Sequence, residues 1–161
     1  MASDIVPVQN RLPHLPGAVF VPVPDRYSDW FECRVPHPNL SDTDVLLSIR
    51  RFRPHQGEYP HYLSMRLVGK GQRPDDSPFL GLSFVAHKDE VEASDSAGHN
   101  RHSFSTSYHR ARDPPKSRQK YDAVKGFFRE RMDSFALHPD ATKEQRTAWD
   151  ETMKFIRRAL D

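Results

Sequence analysis

Val45-Leu46-Leu47-Ser48-Ile49-Arg50 is the stretch from which the rest of the chain is read. Successive side chains of a strand point to opposite faces, so Val45, Leu47 and Ile49 share one side while Ser48 and Arg50 share the other. A strand over 45–53 follows, stopped by Pro54, which has no N–H for a ladder. The same period of two extends in both directions. Phe31, Cys33 and Val35 alternate through 30–35, and Pro36-His37-Pro38-Asn39 ends that strand. Leu63, Met65 and Leu67 oppose Tyr62, Ser64 and Arg66 through 61–68. Leu80, Leu82 and Phe84 mark a strand over 79–85, and Phe104, Thr106 and Tyr108 one over 102–109. Val19, Val21 and Val23 alternate with Pro22 and Pro24, which predicts an edge strand or an extended segment lying on the surface. The small and acidic stretch 89–98 is read as a mobile loop, and 54–60 as a hairpin loop.

Beyond residue 113 the period changes to that of a helix. Asp113 and Pro114 form a helix-start signal, since Asp caps free amides and Pro tolerates the first helical position. Tyr121, Val124, Phe128 and Phe135 then make an apolar stripe, with Met132 at its edge, and the clearest helix is 121–135. His138-Pro139-Asp140 ends it. Thr142 and Gln145 have the spacing of a capping box, followed by a stripe of Trp149, Met153, Ile156 and Leu160. The expected fold is α+β: a twisted antiparallel sheet of about five or six strands, followed by two C-terminal helices packed on one face. A half-barrel closed by the helices is the alternative. Residues 1–17, with Pro7, Pro13 and Pro16, are read as an extended arm, and 18–161 as one domain with strands in 18–112 and helices in 114–161.

The 161 residues suit a single domain, and the net charge of +2 is too small to specify a nucleic-acid partner. Cys33 is the only cysteine, which excludes an intramolecular disulfide and any multi-cysteine zinc site. It is read as a buried, inert thiol. The opening residues lack the basic and apolar regions of a secretory signal, and no apolar run approaches the ~20 residues of a membrane span. The expectation is a soluble intracellular protein, cytoplasmic or nuclear, with no membrane partner.

Of nine histidines, His99, His102 and His109 lie close in sequence. A strand from His102 would carry His109 about 23 Å away on the opposite face, so these two cannot share a metal. No metal site and no cofactor is expected. His61 and Ser64, like His102 and Ser105, stand three apart, which puts hydroxyl and imidazole on opposite strand faces. No phosphate-binding loop, metalloprotease helix or nucleophile elbow is present. What remains is basic. Arg50 and Arg66 share a strand face with Tyr62, Ser48 and Ser64. Arg101, Arg110, Arg112, Lys116 and Arg118 crowd the segment 101–120.

The leading expectation is therefore a non-enzymatic binding or assembly module. Its partner would be nucleic acid or another protein, engaged through the basic sheet face and the 101–120 segment, with Tyr62 as a stacking group. A second reading is a small enzyme or ligand-binding protein. It would use His61, Arg66, His102 and Tyr108 in a pocket between sheet and helices. A third is an accessory subunit of a larger assembly.

Overall fold

A computed structural model describes residues 12–15, 17–52, 61–76, 80–86, 91–97, 105–108 and 115–161. Its strands are β1 (Val19–Val23), β2 (Ser28–Pro36), β3 (Thr43–Phe52), β4 (His61–Gly69), β5 (Leu80–Ala86), β6 (Val91–Ala97), β7 (Ser105–Tyr108) and β8 (Ala136–Leu137). A 3-10 turn, Pro74–Asp76, follows β4. The helices are α1 (Pro115–Met132) and α2 (Lys143–Leu160). The strand order is β7-β6-β5-β4-β3-β2-β1-β8, antiparallel throughout except for the parallel β1–β8 pair. The fold is thus α+β with an open sheet, not closed into a barrel.

Two of the eight described strands depart from the sequence reading. β6 lies within the stretch read as an acidic, mobile loop. Its Val91, Ala93 and Ala97 do alternate, but small and acidic side chains carry little strand preference, and pairing with β5 on one side and β7 on the other supplies what propensity does not. β8 is only two residues long, too short to show any period. It also moves the end of the first helix from 135 back to Met132.

Phe31, Cys33, Val45, Leu47, Ile49, Leu63, Met65, Leu82 and Phe84 form the inner face, as their alternation predicts, and all are buried. They meet Val124, Phe128 and Met132 of α1 and Trp149, Met153, Ile156 and Leu160 of α2 in one core. α1 lies over β5, β6 and β7, and α2 over β2 and β4. Trp149 joins the layers, its ring 5.2 Å from both Phe20 and Phe31. α2 opens with the expected capping box: Thr142 accepts from the Gln145 amide, and Gln145 accepts from the Thr142 amide. Part of the expected arm also belongs to this core. Leu12 is buried, Leu15 packs against the core, and Ser134 Oγ donates to the Leu15 carbonyl.

β1 explains how a strand tolerates two prolines. The Ala136 and His138 amides donate to the carbonyls of Ala18 and Phe20, so even-numbered residues turn their backbone groups away from β2. Pro22 therefore lacks its N–H on the outer edge of the sheet, where no β2 acceptor goes unserved. β8 pairs with Val19 and Phe20, and among the described residues no strand pairs with that edge from Pro22 onward.

Candidate functional site

The sheet face turned away from the helices carries the chemistry, and the strand registers arrange it in transverse rows about 6.6 Å apart. One row runs Val23, Trp30, Arg50, Tyr62. The next runs Val21, Glu32, Ser48, Ser64, Ser83, and the register carries it on through positions Ser94 and Ser105. A third runs Arg34, Leu46, Arg66, Gly81. A floor of hydroxyl-bearing residues thus lies between two rows of taller side chains, which explains why Ser48 and Ser64 are buried on a face without helices.

Arg50 and Tyr62 are directly opposed across β3 and β4, and Arg66 lies two rows away, opposite Leu46. The Arg50 guanidinium sits 4.1 Å from the Trp30 ring centroid and 5.1 Å from that of Phe52. Its Nη2 is 2.9 Å from Asp25 Oδ2, and its Nε donates to Ser28 Oγ at 3.4 Å. The Ser28 hydroxyl in turn donates to Asp25. The Ser28 hydrogen bond and the Arg50 guanidinium together hold the Asp25 carboxyl down to about 2. Trp30 Nε1 reaches over the hydroxyl floor and donates to Ser48 Oγ at 3.0 Å.

The remaining arginines of the sheet are also engaged. Arg34 pairs with Asp44 at 2.9 Å. Arg66 donates to the Pro74 carbonyl at 2.9 Å, which draws the 3-10 turn over the third row. Arg51, whose parity is that of the inner face, pairs with Asp29 at 3.0 Å and with Glu151 of α2 at 2.8 Å. Half-buried Glu32 stands between Arg34 and Arg50; burial pushes its carboxyl upward, while the two guanidiniums pull it back. The sequence reading missed these carboxylates. Asp25 stands in the turn between β1 and β2, and nothing in a turn's composition names the strand residue it will meet.

The other expected residues are placed as follows. Arg101, His102, Arg110 and Arg112 lie outside the described residues, and Lys116 and Arg118 fall in the first turns of α1. His61 and Arg66 occupy opposite parities of β4. His61 and Tyr108 share one transverse row but stand three strands apart, about 14 Å. Cys33 is buried, and burial pushes its thiol upward, away from the nucleophilic form.

A separate cleft of about 660 Å³ opens at the end of the sheet, between the β1–β2 turn and the first turns of α2. Arg66 is not among its described lining residues, and His102 lies outside the described residues. Among the described residues no three His, Cys, Asp or Glu side chains are grouped to hold a metal, and no helix is long and apolar enough to cross a membrane. No protein-family model matches the chain, and neither curated proteins nor solved structures give a match.

Proposed function

We propose that the chain is a non-enzymatic binding module whose partner is another protein, docked on the sheet face turned from the helices. The observation that carries this is the Trp30–Arg50–Tyr62 row beside the exposed valines of β1. Val19 and Val21 are 44% and 46% exposed on that face, Val21 one row from Trp30, and Trp30 and Tyr62 of the row itself are half-buried. Trp, Tyr and Arg are the residue types that dominate binding energy at protein interfaces. Here Arg50 is held by Asp25 and two rings, so little side-chain entropy remains to be lost on docking.

The same geometry favours protein over nucleic acid. Arg34 and Arg50 are already paired with Asp44 and Asp25, so this face has fewer uncommitted cations to offer phosphates. An enzyme reading gains no support from His61, Arg66 and Tyr108, which the sheet separates.

The test uses immobilised wild-type protein, Val21→Asp and Tyr62→Ala on the proposed face, and Phe155→Ser on exposed α2 surface. A protein retained from lysate by wild type and Phe155→Ser, but lost by both face variants at unchanged melting temperature, is the expected result. Equal retention by all four overturns the reading. So does oligonucleotide binding that weakens steeply with salt and is abolished by Val21→Asp, which would assign the face to nucleic acid.

A further inference from the structure

The cleft at the end of the sheet has two walls, the β1–β2 turn and α2, and each wall holds one uncommitted charge. Asp25 and Asp29 on the turn side are committed to Arg50 and Arg51. Gln145 has its carbonyl oxygen tied into the helix cap. Arg26 makes no ion pair or hydrogen bond among the described residues, and its guanidinium rests 5.8 Å from the Tyr27 ring. Glu144 likewise has no partner among them. Both residues line the same cleft, yet they do not reach one another. The space between them is bounded by Pro22, Val23, Pro24 and Ala148, an apolar lining.

From these facts we infer that the cleft binds a small zwitterion with an apolar side chain, a free amino acid or a dipeptide. Its carboxylate faces Arg26, its ammonium faces Glu144, and its side chain lies on the proline and valine wall. A ligand carrying only one charge would satisfy one wall and leave the other uncommitted. At about 660 Å³ the cleft lies within the range of roughly 300–1,000 Å³ common for small-molecule sites. The site adjoins the docking face, since Val23 and Trp30 of its first row also line the cleft, but the charges that hold the ligand come from the turn and α2.

The experiment is a backbone-amide NMR titration of the whole protein. The ligands are L-leucine and leucyl-leucine, with N-acetyl-leucine and leucinamide as probes that each lack one charge. Saturable shifts at residues 22–30 and 144–148 with at least one zwitterion, and about tenfold weaker binding of both singly charged probes, are expected. Leucine and leucyl-leucine in parallel separate a free amino acid from a dipeptide. Arg26→Gln should abolish the discrimination against leucinamide, and Glu144→Gln the discrimination against N-acetyl-leucine. Both residues are exposed, so neither substitution threatens the fold. The inference is overturned if neither zwitterion shifts these amides at ~10 mM, or if the singly charged probes bind wild type equally well.

Discussion

Arg50 shows how far one side chain can be anticipated. Parity alone put it on the outer face. Its charge partner lies 25 residues back, in a turn, and its ring partners depend on strand register, which alternation does not encode. Its role follows from the shape of a guanidinium, which stacks on rings while donating from its edge. Arg50→Ala should cost about 2 kcal/mol in denaturant unfolding, from lost stacking and charged hydrogen bonds. Arg50→Lys should recover less than half of that, since an ammonium keeps the charge and loses the plane. Asp25 provides a pH signature. Its carboxyl drops from 3.8 to about 2 on folding, so its contribution is present above pH 3.8 and disappears as pH falls toward 2. Asp25→Asn should therefore melt below wild type at pH 6, with the gap closing near pH 2. At Gly81, a β-carbon would come 2.7 Å from the Arg66 Cα, in a pair of strands that cannot separate without breaking the ladder. Gly81→Ala should destabilise by about 1–3 kcal/mol in the same unfolding assay, as over-packing does elsewhere.

Among the elements, those with strong periodicity could be read from sequence and those with weak periodicity could not. β3, β4 and β5 alternate large apolar residues with polar ones, and their inner faces are the predicted ones. α2 declared both its stripe and its cap. Thr142→Ala removes the acceptor for the Gln145 amide and should cost about 1 kcal/mol, read as a lower thermal midpoint with unchanged helix content. β6 stayed hidden because alanine and serine give alternation no amplitude. β1 was ambiguous for a different reason: whether a proline is tolerated depends on which edge its missing N–H faces, and that is a property of the neighbours.

For the whole molecule, the order of sheet and helices was legible because the period of the apolar residues changes once, near residue 113. The extent of the domain was less so. Leu12, in a segment whose prolines suggest a loose arm, is 4% exposed and lies in the same core as Phe20 and Phe135. Leu12→Ala should cost about 2–4 kcal/mol, the range for a buried leucine, whereas a detached arm would show no change on chemical denaturation. The candidate face required the assembled sheet. Its rows cross four to seven strands, and only the register says which residues adjoin.

The closing of β1 by β8 also sets a timetable. The Phe20 carbonyl receives its hydrogen bond from His138, more than a hundred residues later in the chain. A ribosome must therefore make the whole of α1 and the connection after it before that edge of the sheet can be finished. Contacts so distant in sequence form late, and an unfinished edge invites pairing with neighbouring chains. Along β1 only Phe20 presents an amide on that side, because the next residue facing outward is Pro22. The proline shortens the exposed edge while the nascent chain waits for its last strand.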